Sequence, residues 1–193
     1  MAHNTRKMPQ LPVDLSIIRA NENAFIEIPL PGSRNILTKI IKVDRVNLQA
    51  VMQVRFLPGG RAPRHLHHCR AIAYTLSGEW QYDDGKFGPG DVAYEVPGNE
   101  HTPSSVKGGE MVLIMTSPDG RFLDNYMPDG SIIRHSFKTF EFFKGKTQAE
   151  VERLNLSQLA QSIDIIPAPG ADVRWLYRYI QDCLARPEAV GLD

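Results

Sequence analysis

The chain has 193 residues, in which 22 Lys+Arg balance 22 Asp+Glu for a formal net charge of zero. That length suits one domain with a sizeable core and a small appendage. The balance speaks against nucleic acid as a partner, because its binders carry a basic excess to displace phosphate counterions, and a hydrophobic fraction of 42% excludes a largely disordered chain.

No apolar run approaches the ~18 residues of a membrane span. The opening Met1 to Lys7 lacks the apolar stretch of a secretory signal. Two cysteines, Cys69 and Cys183, are too few for a disulfide framework and fit a reducing compartment. The expectation is a cytoplasmic protein without nucleic-acid or membrane partners.

Residues 1–24 are polar, carry Pro9 and Pro12, and read as an N-terminal arm. From residue 25 to about 116 the pattern is of short strands between turns. Leu48, Ala50, Met52, Val54 and Phe56 alternate with polar residues, the period of a half-buried strand. Further apolar runs occupy 36–46, 71–76, 79–82, 92–96 and 111–116. Turn signals separate them at Pro58-Gly59-Gly60, Asp83-Asp84-Gly85, Gly88-Pro89-Gly90 and Pro97-Gly98-Asn99. Strands so short and regular predict an antiparallel barrel or sandwich, assigned to residues 25–145.

After Lys146 the period changes. Thr147-Gln148-Ala149-Glu150 has the spacing of a capping box and predicts a helix over 147–163. Asp172 is placed to cap a second helix over 172–185, with Val173, Leu176, Tyr177 and Ile180 on one apolar face, and Pro187 prevents its continuation. Residues 146–193 are therefore a helical extension packed on the barrel or on another subunit.

Four of six histidines fall between positions 65 and 101. His65 and His67 are two apart in a strand, so both side chains leave from one face and can reach one metal ion. His101 follows a strand-and-turn unit and can bring a third imidazole from a neighbouring strand. On the same parity His68 points away, and His3 and His135 lie in contexts without partners. A His-x-His pair alone is weak evidence; the glycines around it add weight. Gly59, His65, His67 and Gly78 form G-x5-H-x-H-x10-G, and Gly90, Gly98 and His101 form G-x7-G-x2-H.

These two patterns resemble the paired motifs of the cupin superfamily, over about residues 25–116. The resemblance implies a mainly β fold, a single double-stranded β-helix or jelly-roll barrel with C-terminal helices. It implies a metal held by His65, His67 and His101. Where the family's first motif has a glutamate ligand, this chain has Ala71 and Ile72, and Ser105 replaces the asparagine that ends the second motif. Three neutral imidazoles then remain, a set that suits several transition metals, and an anionic substrate could supply the missing charge.

Three-histidine cupins include acetylacetone-cleaving and 2,4'-dihydroxyacetophenone dioxygenases, which use iron(II) and O2 to break a carbon–carbon bond beside a carbonyl. In the former a glutamate six residues before the third histidine lies near the metal without ligating it; Glu95 stands at that spacing and is the candidate catalytic residue. The expected cofactor is Fe(II), with Zn or Ni as alternatives, and the expected partners are a small carbonyl substrate, O2 and a second or further copies of the chain as homodimer or homotetramer. The competing reading is a non-catalytic zinc-binding sensor like the cupins of anti-sigma factors, which phrase Tyr94 to Pro103 also resembles, or a zinc isomerase or hydrolase.

Other residues carry bland readings beside sharper ones. Cys69 shares parity with His67 but reads as a small buried hydrophobe. Glu79, at a turn, reads as a solvated carboxylate and is the best spare one should a fourth protein ligand exist. Tyr74, Trp80, Tyr82, Phe87 and Tyr94 could line a pocket, although strands favour aromatics in any case. Arg55, Arg61, Arg64 and Arg70 could meet a substrate carboxylate or simply form a solvated rim.

Overall fold

The structure, a computed structural model, describes residues 17–83 and 85–185. His3, Pro9, Pro12 and Pro187 lie outside the described residues. Two long strands, β1 (Arg34–Asp44) and β2 (Gln49–Arg61), form an antiparallel pair. Ala50, Met52 and Phe56 of β2 are buried, as their alternation predicts. The turn expected at Pro58-Gly59-Gly60 does not form. Gly59 adopts φ +73°, open to it because it lacks a Cβ, and the irregularity becomes a bulge that lets β2 continue to Arg61.

Short strands then follow in sequence: β3 (His65–His67), β4 (Arg70–Gly78), β5 (Trp80–Tyr82), β6 (Gly85–Phe87), β7 (Val92–Glu95), β8 (Glu100–His101), β9 (Ser104–Ser105) and β10 (Gly109–Thr116). Gly78 ends β4 where it must: a Cβ there would stand 2.3 Å from the Gly108 carbonyl oxygen, and φ is +69°. Strand structure does not stop at 116. β11 (Arg121–Tyr126) and β12 (Ile132–Ser136) pair with each other, and β11 also pairs with β3.

The helix expected over 147–163 is two. After α1 (Phe137–Phe143), α2 (Gln148–Glu152) starts at the Thr147 capping box and ends at Arg153. α3 (Leu156–Ser162) starts afresh from a second box, in which Asn155 and Gln158 exchange side-chain to backbone hydrogen bonds of 3.0 Å. β13 (Asp164–Ile166) adds to β12, and α4 (Val173–Ala185) follows Asp172, whose carboxylate accepts from the Arg174 N–H.

Two sheets result, one ordered β6-β5-β9-β2-β10-β4-β7 with β1 on β2, the other β13-β12-β11-β3-β8. They make a mainly β jelly-roll barrel with C-terminal helices. The main core runs without interruption from Met52, Met115 and Phe122 of the barrel to Phe143, Leu159, Leu176 and Ile180 of the helices, so these helices pack on their own barrel. The outer face of β4 and β7 exposes Ile72, Tyr74, Val92 and Tyr94. No helix of the described residues is long and apolar enough to cross a membrane.

Candidate metal centre

On β3, His65 (6% exposed) and His67 (2%) face inward on either side of Leu66. The third imidazole arrives by a turn. After β7, Gly98 takes φ +90° and donates its N–H to the His67 carbonyl at 2.8 Å, while the Asn99 carbonyl accepts from the His67 N–H at 2.9 Å. Strapped to β3 in this way, the chain returns so that β8 pairs with it and His101 lies directly opposite His65.

The His101 Nε2 is 3.1 Å from His65 Nε2 and 3.1 Å from His67 Nε2. Donors that share one ion at about 2.1 Å lie no more than about 4.2 Å apart, and this spacing meets that condition. His65 donates its Nδ1–H to the Pro63 carbonyl at 2.9 Å, which leaves the Nε2 lone pair free to ligate. Burial lowers the pKa of all three rings, to about 2 for His67 and about 3 for His101, so they stand neutral, the form that binds metal. The Tyr82 ring stacks on His101 at 4.1 Å and fixes its plane. The chemistry and spacing of these donors fit a divalent transition metal.

Glu95 enters the same space from β7 and is 4% exposed. Its Oε2 is 3.2 Å from His67 Nε2 and its Oε1 4.0 Å from His101 Nε2. Among the described residues Oε2 has no hydrogen-bond partner, and burial pushes the carboxyl up to about 8. A buried acid so placed stays protonated unless a cation beside it offsets the charge.

Behind these groups is a cavity of about 130 Å³, the scale at which an engineered protein cavity takes up benzene. Met52, Phe56, Met111 and Leu113 supply apolar wall, and Glu95 is the one carboxylate among the lining residues. Trp80 and Tyr82 line it as the aromatic reading allowed; Phe87 stacks on Trp80, and Tyr74 and Tyr94 face outward. None of the four arginines lines it. Arg55 pairs with Glu110 at 2.6 Å and Arg64 with Glu100, while Arg61 and Arg70 are exposed.

Glu79 lies on the surface, 3.4 Å from Lys86, away from the cavity. Cys69 is fully buried with Sγ 3.9 Å from His67 Nδ1, and burial raises its thiol to about 12, so it offers no thiolate. His68 turns away to Asp124, 2.8 Å distant. His135 is different from its expectation: it is buried and lines the cavity, together with Asn125. They come from β12 and β11, strands that carry no glycine or histidine motif, and only the pairing of β11 with β3 and of β12 with β11 brings them here.

Comparison with known proteins agrees with this fold. In structure the chain is similar to an RmlC-like cupin from Ralstonia eutropha JMP134, at 25% identity and TM-score 0.56 over 64% of this chain and 80% of that one. It is also similar to a candidate acetylacetone dioxygenase from Methylibium petroleiphilum PM1, at 16% identity and TM-score 0.53 over 66% and 94%. The polyketide cyclase RemF from Streptomyces resistomycificus shares the fold at 15% identity and TM-score 0.51 over 60% and 89%. Among curated proteins none matches significantly. Residues 17–118, a little over half of the chain, match the family described as the ChrR cupin-like domain, and to that cupin family the chain belongs.

Proposed function

We propose that this protein is a mononuclear three-histidine metalloenzyme, with iron(II) as its metal, that cleaves a carbon–carbon bond beside a carbonyl in a small β-diketone or hydroxyacetophenone-like substrate. The observation that carries this reading is one of charge. Three neutral imidazoles bring no charge to a dication, the one carboxyl among the described lining residues is not part of that cluster, and the wall is otherwise largely apolar. A substrate that becomes an enolate on binding brings an anion into direct reach of the three imidazoles.

His65, His67 and His101 would hold the metal. When bound, it supplies Lewis acidity to a pair of carbonyl oxygens and electrons to dioxygen. Ionised where a cation beside it offsets its charge, Glu95 is placed to take the proton from the carbon between two carbonyls onto Oε2, so that the negative charge passes to the enolate while the proton stays inside the barrel. Met52, Phe56, Met111 and Leu113 keep bulk water away from the reactive enolate, and Tyr82 holds the His101 plane. Both atoms of O2 end in two carbonyl products.

A second reading has its own observation, the match to the ChrR cupin-like domain: a zinc-binding module without catalysis. Metal analysis of protein purified without added metal, followed by oxygen uptake with acetylacetone, separates the two. Iron with substrate-dependent oxygen uptake supports the dioxygenase. Stoichiometric zinc, and no uptake after reloading with iron(II), overturns it. A homodimer or homotetramer, a cytoplasmic location and an arm-barrel-extension division at residues 24/25 and 145/146 belong to the same proposal; light scattering against the 21.7 kDa chain tests the first.

A further inference from the structure

His135 lies outside the residues that match the family, on β12. The register runs His67↔Leu123↔His135 across β3, β11 and β12, so His135 is on the inward face of the same sheet as the ligands, two strands from His67. It is 6% exposed and lines the cavity, yet its Nε2 finds no hydrogen-bond partner among the described residues. It is not part of the three-histidine cluster.

A purely structural role would not select this residue. Its ring meets Phe140 edge-on at 5.9 Å, a contact that an aromatic hydrocarbon would make without burying an unpaired polar atom. Leaving such an atom unsatisfied costs about 1–3 kcal/mol. Burial holds the ring neutral, its pKa lowered to about 4, so it can present one N–H and one lone pair rather than a cation. An uncharged donor among the apolar side chains of a largely apolar cavity suits an oxygen of a small ligand.

We infer that His135 is a substrate-binding residue, whose Nε2–H donates to an oxygen of the small carbonyl compound held in the cavity. Strand β12, beyond the residues that match the family, thus supplies a contact that selects the ligand. This rests on the reading of the cavity as a carbonyl-substrate site, and the test separates the two.

Protein loaded with cobalt(II), which accepts the same nitrogen donors, is titrated under nitrogen with acetylacetone while the visible cobalt bands are followed. His135→Phe should keep full cobalt content and the starting spectrum, melt at or above the wild-type temperature, and bind acetylacetone about tenfold more weakly. His135→Gln, which places an N–H near the Nε2 position, should recover most of that loss. Equal affinity in wild type and His135→Phe overturns the role of His135 and leaves the site reading intact. Loss of cobalt in both variants overturns it too, since His135 would then serve the metal or the fold. If cobalt-loaded wild type does not respond to acetylacetone, the carbonyl-substrate reading fails and this inference falls with it.

Discussion

Ala71 and Glu95 face each other across β4 and β7, both turned into the barrel. Of the two positions at which the cupin motif could supply a glutamate, Ile72 points to solvent at 40% exposure, so Ala71 is the inward one, and it is fully buried. The carboxyl absent from β4 is therefore present one strand away, approaching the imidazoles from β7. The arrangement follows from that shift: three neutral imidazoles in one cluster, and a single carboxyl beside them.

Replacement of His65, His67 or His101 by Ala should remove metal and activity together, because two imidazoles hold a divalent ion poorly. Glu95→Gln should keep most of the metal and slow turnover by about 10–100-fold, the usual loss for a group beside a metal site. Metal content of the purified variants and oxygen uptake with acetylacetone are the two measurements. If Glu95→Gln loses metal as fully as His101→Ala, Glu95 is a fourth ligand.

The metal-free protein should show the strain of this arrangement in its pH dependence. In the unfolded chain Glu95 ionises above about 4.5, while in the fold it holds its proton up to about 8. Its contribution is thus fully present below pH 4.5 and declines as pH rises towards 8, by about 1.4 kcal/mol per unit. Urea denaturation in the presence of chelator should find Glu95→Gln more stable than wild type at pH 8, with the gap closing near pH 4.5. A gap that does not change with pH would mean that the carboxyl is ionised in the fold.

The buried histidines act with the opposite sign. Unfolded, each takes up a proton below about pH 6.5; folded, His67, His101 and His135 resist until about 2, 3 and 4. Metal-free protein should lose stability as pH falls below 6.5, each histidine adding a slope of about 1.4 kcal/mol per unit. Replacing them one at a time by Leu or Phe should flatten the slope stepwise, as read from urea midpoints between pH 6.5 and 5.

The barrel and the three-histidine cluster were legible because their signals are local. Two-residue parity put His65 and His67 on one face, and the glycines at 78 and 98 sit where backbone geometry admits no side chain or demands a positive φ. His135 and Asn125 were not legible, since nothing in Phe122 to Ser136 has motif spacing and their place depends on β11 pairing with β3 across more than fifty residues. The split of the 147–163 helix was visible in principle: Asn155 and Gln158 have the same capping spacing as Thr147 and Glu150, but an unbroken apolar period hides it.

The long-range pairing that builds the site can itself be tested at Asp124. On β11 it lies opposite Leu66, between His65 and His67 of β3, and its side chain accepts two hydrogen bonds of 2.7 Å from Arg134 on β12. Its carboxylate is 7% exposed, and the Arg134 and His68 side chains hold its pKa below the ordinary value against the opposing effect of burial. Removing one member of such a pair leaves the other partly buried and uncompensated, at a cost of about 3–5 kcal/mol. Asp124→Ala should therefore lower the melting temperature and also weaken metal binding, because β3 loses the strand that fixes its register. Arg134→Met in the Asp124→Ala background should restore much of the stability, since it removes the stranded charge and keeps the apolar stem. A double-mutant cycle read by urea denaturation and by cobalt titration gives both couplings. Additive effects in that cycle would mean that the pair does not tie β12 to β11, and unchanged cobalt affinity in Asp124→Ala would mean that β8 and the Gly98 turn alone are enough to hold His65 and His67 in place.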